Sequence, residues 1–259
     1  VLESIDIRSF RGTALLVHRP SYSLHPELYD ALIANIHKQI SSRISDLLTR
    51  FEFEELWVKN ILLNAKQMHT ALPVKSLFGK FKGIPGIIVS AGPSLINSLD
   101  ALSQAYEKAL IVCVDTAYKV LERHGISPHI VMTLDAQTHS IKHFLGITQK
   151  PLLLADVVSS PKVTRLIEKK LFSTTAKYYT APDGRIQRES TPLMEWIQNF
   201  TGQIGDIQSG GSVATSAFDL LLTAGCSAIV LVGQDLAYTG REIHSRGTHH
   251  NDDWLPAIN

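Results

Sequence analysis

The sequence predicts an α/β protein, a doubly wound and mostly parallel sheet preceded by an N-terminal helical segment. Three observations carry that prediction. Residues 26–69 repeat apolar side chains at a helical spacing. From Lys82 onwards, short β-branched runs alternate with amphipathic stretches. Gly, Ser and Asp gather where those runs end. At 259 residues the chain can hold one large α/β domain with a smaller appendage.

In the helical segment Leu28, Leu32, Ile36, Ile40, Ile44, Leu47 and Phe51 recur every three or four positions, lining one face. Trp57, Ile61, Leu62, Ala65 and Met68 form a second stripe. One unbroken helix over this span would be roughly 66 Å long at 1.5 Å per residue. The spacing therefore predicts a break at 51–55, where charged and aromatic residues interrupt the stripe. Pro20, Ser23 and Pro26 read as a turn before the helix, and 5–17 carries a weak strand signal. We assign 1–80 to a mainly helical N-terminal segment and 81–259 to the sheet domain.

Strands are predicted at 86–90, 109–114, 129–134, 151–155, 176–179, 204–207 and 228–232. Helices are predicted at 95–107, 117–123, 138–145, 163–169, 192–200 and 212–223. Continuous apolar strands separated by helices imply a parallel sheet covered on both faces. That is the Rossmann-like arrangement, whose ligands gather at the carboxyl ends of the strands.

The candidate site is read from those ends. Ser90-Ala91-Gly92-Pro93-Ser94 follows the first strand. Gly92 permits close approach, Pro93 stiffens the turn, and Ser94 can cap a helix whose free N–H groups suit a phosphate. A plain capped turn would look the same. Asp115 and Thr116 close the second strand, 23 positions after Gly92, where such sheets hold a ribose hydroxyl; Asp115 also suits an N-cap. Asp135 closes the third strand, so two carboxylates converge on one crevice and can fix sugar hydroxyls or hold Mg²⁺. Ser209, Gly210, Gly211 and Ser212 precede a helix as a second anion-friendly loop. Gln234, Asp235 and Tyr238 follow the last strand, and His244 to Asp253 is the richest polar segment. It reads as a solvated loop or as a source of an acid–base histidine. Its His-His-x-Asp-Asp order matches no metal-ligand spacing.

Composition removes several function classes. Lys+Arg 25 against Asp+Glu 24 leave a net charge of +1, so no global field holds a nucleic-acid backbone. Trp57, Trp196 and Trp254 lack interleaved basic residues for base stacking. No apolar run approaches the ~20 residues of a membrane span. The N-terminus, with Glu3, Asp6, Arg8 and Arg11, does not read as a signal peptide. Two cysteines, Cys113 and Cys226, make no disulfide framework and fit a reducing cytoplasm. Opening on Val1 and ending at Asn259, the chain is expected to be a piece of a longer protein, truncated at its C-terminus.

A resemblance adds to this. Gly86-Ile87-Ile88-Val89-Ser90-Ala91-Gly92-Pro93-Ser94-Leu95, Val114-Asp115-Thr116-Ala117, Gly125-Ile126-Ser127-Pro128-His129 through Asp135, Gly211-Ser212-Val213-Ala214 and Gly233-Gln234-Asp235-Leu236-Ala237-Tyr238 look like the motility-associated factor (Maf) flagellin glycosyltransferases. The stretch 57–64 is similar to that family's helical lead-in, and the likeness covers about 55–245. The central domain also resembles archaeal 6-hydroxymethylpterin diphosphokinases and bacterial sialyltransferases.

The resemblance implies a cytoplasmic bacterial enzyme that transfers a nonulosonic acid, of pseudaminic or legionaminic type, from its CMP-activated form to Ser/Thr of flagellin. Gly92, Pro93 and Ser94 would bind the nucleotide phosphate and ribose, and Asp115 a further polar part of the nucleotide. Ser209 and Gly210 would surround the cytidine, and Tyr238 would bind phosphate. Asp235 or a histidine, His244 or His249, would take the acceptor proton. The alternatives are diphosphate transfer from ATP, with Asp115 and Asp135 on Mg²⁺, and a non-catalytic nucleotide-binding or flagellin-recruiting module. Only the diphosphokinase alternative calls for a metal cofactor.

Overall fold

The computed structural model describes residues 14–176, 178–181, 183–189, 191–208, 210–237 and 242–249. The chain divides into two compact units, Val1–Glu55 and Leu56–Asn259. The division thus falls earlier than the 80/81 boundary of the sequence reading. The expected strand signal at 5–17 lies largely outside the described residues, and 14–18 form no strand.

The described part of the first unit is helical. α1 (Arg19–Leu24) carries Pro20 in its first turn, where the missing N–H costs nothing. α2 (Pro26–Thr70) follows as one 45-residue helix, so the break predicted at 51–55 does not exist. The reason is local. Glu52, Glu54 and Glu55 are good helix formers, and no Gly or Pro interrupts the interior.

The second unit is built on a parallel sheet. Its strands are β1 (Leu72–Pro73), β2 (Gly86–Val89), β3 (Leu110–Val114), β4 (Ile130–Thr133), β5 (Leu153–Asp156) and β6 (Lys170–Ala176), followed after a separate antiparallel hairpin β7 (Tyr178–Thr180)/β8 (Ile186–Arg188) by β9 (Asp206–Gln208) and β10 (Ile229–Val232). The order is β1-β6-β5-β4-β3-β2-β10, with β9 also on β6. All pairings in this sheet are parallel. No helix among the described residues is long and apolar enough to cross a membrane.

Side chains alternate between the two faces, as the period of two requires. On β3, Ile111 and Cys113 join one buried cluster, while Leu110 and Val112 join the other. The first face is covered by α3 (Leu99–Ser103), α4 (Asp115–Arg123), α5 (Pro161–Leu166) and α6 (Pro192–Thr201), together with Ile61 and Met68 of α2. The second is covered by α7 (Val213–Ala224), through Ala217, Leu220 and Leu221. Helices on opposite faces follow from the topology, because β2 to β6 step one way across the sheet and β10 returns to the other side of β2.

Two asparagines one turn apart on α2 secure the carboxyl edge. Asn60 Nδ2 donates to the carbonyls of Ala136 and Val158, both at 2.9 Å. Asn64 Nδ2 donates to Val157 at 3.0 Å and Ser159 at 2.9 Å, and its Oδ1 accepts from Thr164 Oγ1 at 2.8 Å. Both asparagines are buried, so each amide meets carbonyls that would otherwise be orphaned. The 57–64 lead-in therefore has a structural task.

The sequence reading errs on β6. The pattern predicts a helix over 163–169 and a strand at 176–179, whereas α5 ends at Leu166 and β6 begins at Lys170. Ser173 and Thr174 on that strand look polar in sequence but are fully buried. The stretches after β2 and β4 begin as 3₁₀ turns, Pro93–Ser98 and Thr138–His143, rather than as the predicted α-helices.

Candidate functional site

A cleft of about 460 Å³ opens at the carboxyl ends of β2, β3 and β10. This is where the strand order reverses, the place where wound sheets leave room for a ligand. Five segments line it: 90–93, 114–116, 212–214, 233–237 and 243–244. Gly92, Pro93, Asp115, Thr116, Ser212, Asp235 and His244 are thus brought together from widely separated parts of the chain. Ser94 adjoins them through its bonds to Asp235.

The loop after β2 is knitted to the loop after β10. Ser90 N–H donates to Val232 O at 2.8 Å, and Gly92 N–H to Gly233 O at 2.7 Å. Ser90 Oγ donates to Gln234 Oε1 at 2.8 Å. Asp235 accepts from Ser94 N–H at 2.7 Å through one oxygen and from Ser94 Oγ through the other. A Cβ on Gly92 would lie 2.4 Å from Gly233 O and 2.8 Å from the Asp235 carboxyl, so a glycine is required there.

These bonds correct one expectation. The amides of Gly92 and Ser94 do not face the crevice free, because Gly233 and Asp235 occupy them, and Leu95 N–H is spent on Gly92 O at 3.0 Å. The protein's own carboxylate sits where the sequence reading put a phosphate.

The loop before α7 behaves differently. Ser212 is the N-cap, accepting from Thr215 N–H at 3.2 Å while Thr215 Oγ1 bonds back to it. Val213 and Ala214 follow as the first two helical residues and line the cleft. Their N–H groups lie in the first turn, which no intrahelical carbonyl reaches, and carry the positive end of the helix dipole. Gly210 packs on Thr215, with 2.6 Å from a notional Cβ to its side chain, and Gly211 stands at φ 87°. Both shape the loop without lining the cleft. Ser209 and Tyr238 lie outside the described residues.

Asp115 is 4% exposed and lines the cleft wall. Oδ1 accepts from Thr116 N–H at 2.7 Å and Thr116 Oγ1 at 3.1 Å, and Oδ2 from Thr133 Oγ1 at 2.6 Å. It stands inside α4 rather than capping it, since the cap position falls on Val114. Neighbouring Cys113 is fully buried; burial, and secondarily Asp115, push its thiol well above the usual range. That makes it a packed side chain and not a nucleophile.

Asp135 does not join the cleft. Its Oδ1 accepts from Gln137 N–H at 2.8 Å, and its Oδ2 faces His139 Nε2 at 3.6 Å. Among the described residues no group of three His, Cys, Asp or Glu is arranged around a cation. Asp115 lines the cleft and Asp135 does not, so the cleft does not bring together the two carboxylates that the diphosphokinase alternative would set on Mg²⁺.

His244 lines the cleft through the segment 242–249. Ser245 N–H donates to Ala91 O at 2.7 Å and Thr248 Oγ1 to Ser245 O at 2.9 Å, which pins the segment beside the β2 loop. His249 lies elsewhere, its ring 6.2 Å edge-on from that of His143.

The sequence reading missed Gln234 as a bolt, Ile243 as a wall and Asp156. The last is buried at the end of β5, and burial raises its carboxyl to about 6 against Thr175 and Val158 bonds that lower it. It lies outside the cleft. Only an acid straight after an apolar run hinted at it.

The sequence matches the family described as 6-hydroxymethylpterin diphosphokinase MptE-like over residues 59–241. An uncharacterised protein of Treponema pallidum (strain Nichols) is 28% identical over 131 residues, covering 47% of this chain and 31% of that protein. The structure of the MAf glycosyltransferase from Magnetospirillum magneticum AMB-1 aligns with a TM-score of 0.51 at 17% identity, over 78% of this chain and 32% of that one. That likeness shows the Rossmann-like fold. The chain spans about a third of the length of both proteins.

Proposed function

The chain belongs to the MptE-like family, and from that premise and the cleft we propose that it is a glycosyltransferase acting on a nucleotide-activated sugar. The finer reading is a CMP-activated nonulosonic acid as donor and Ser/Thr of flagellin as acceptor, in the cytoplasm. One observation carries the proposal. A capped helix N-terminus, a buried aspartate and a pinned histidine meet in one cleft at the switch point of a wound sheet. The Maf-like segments supply the donor and acceptor.

In this reading the donor phosphate lies against the Val213 and Ala214 amides, where the helix terminus favours an anion. The bond between the anomeric carbon and the phosphate oxygen breaks, leaving CMP and an oxocarbenium-like sugar. The acceptor hydroxyl bonds to that carbon while His244 takes its proton. Asp235 acts as a positioning residue, holding the two loops in register through Ser94.

Thermal denaturation with ligands tests this. CMP near 100 Kd should raise stability by about 2.7 kcal/mol. Stabilisation by ATP with Mg²⁺ and not by CMP would return the diphosphokinase reading. Stabilisation by neither would leave a module without nucleotide chemistry.

A further inference from the structure

Leu236 is the one non-glycine residue at positive φ among the described residues, at 52°. A β-carbon is disfavoured there, and leucine lacks the short polar side chain that lets Asn or Asp tolerate the region. Leu236 lines the cleft, yet it is 89% exposed. Folding therefore gains no apolar burial from it while bearing its backbone conformation.

The preceding residues explain how that conformation persists. Gly233, Gln234 and Asp235 are tied to Gly92, Ser90 and Ser94 respectively, so the chain reaches Leu236 on a rigid path. A backbone held in a sparsely populated region is typical of ligand clamps. Ile243, 42% exposed, lines the same cleft and adds a second apolar surface.

We propose that Leu236, with Ile243, forms the apolar seat of the nucleobase. The inference rests on the nucleotide reading above. Of a nucleotide's three parts, phosphate and ribose offer charge and hydroxyls; only the planar base has a broad apolar face for a leucine to cover. The amides of Val213 and Ala214 are left to the phosphate.

Calorimetric titration of the full chain with CMP tests it, using Leu236→Ala, Leu236→Asn and Leu236→Met. Asparagine suits the backbone conformation but removes the apolar surface; methionine keeps the surface. The Ala and Asn variants should bind CMP about tenfold more weakly, and the Met variant within about twofold of wild type. Wild-type affinity in Ala and Asn overturns the inference and leaves the nucleotide reading standing. So does a Met variant as weak as Ala, because the backbone rather than the apolar surface would then be at work. A wild-type chain that does not bind CMP sinks the nucleotide reading itself, and this inference with it.

Discussion

The two glycine loops of the cleft look alike in sequence, each a small-residue turn between a strand and a helical start, yet they are chemically opposite. In Gly92-Pro93-Ser94 every amide that a phosphate would want is taken by Gly233, Asp235 or Gly92 itself. In Gly210-Gly211-Ser212 the cap is satisfied within the loop, and Val213 and Ala214, the first residues of α7, line the cleft. A glycine loop is thus an anion site only where nothing else in the fold has claimed its donors. The first loop ties β2 to β10, and the second is where the proposed function places a charged ligand.

Substitutions that separate these roles follow in order of size. Gly92→Ala drives a methyl to 2.4 Å from Gly233 O and should cost about 3 kcal/mol in denaturant unfolding. Asp235→Ala leaves Ser94 N–H without its acceptor and should cost about 2 kcal/mol, with a smaller loss for Asp235→Asn. Gly211→Ala meets no atom within 4 Å and suffers only from its φ of 87°, so about 1 kcal/mol is expected. Ser212→Ala removes the N-cap for about 1 kcal/mol, the same stability loss, but should also weaken CMP binding in titration. A Gly92→Ala protein as stable as wild type would break the comparison at its first step.

Much of the sheet could be read from the chain. β2, β3, β4 and β5 announce themselves as unbroken apolar runs, because strands buried on both faces need nothing else; β10 is equally apolar, although as an edge strand it leaves Val230 and Leu231 exposed. β6 escaped because its burial is finished with Ser173 and Thr174, whose polarity hid the strand. The cleft's membership was partly legible for the same reason, since loops at strand ends must converge. What could not be read was who bonds to whom. Asp235 lies 141 positions from Ser94, and no local pattern records that the carboxylate of one loop fills the donors of the other. The asparagine ladder of α2 was hidden likewise, its four carbonyl partners lying 76 to 98 positions away.

The central claim is that α7, and not the Gly-Pro-Ser turn, holds the phosphate. Val213→Pro tests it most directly. Proline is tolerated at the first helical position, Ser212 already has the extended backbone a following proline demands, and one N–H donor is deleted. Calorimetric titration with CMP should show about a tenfold loss for Val213→Pro and less than about threefold for Ser94→Ala. A large loss in Ser94→Ala with Val213→Pro binding like wild type would contradict the account.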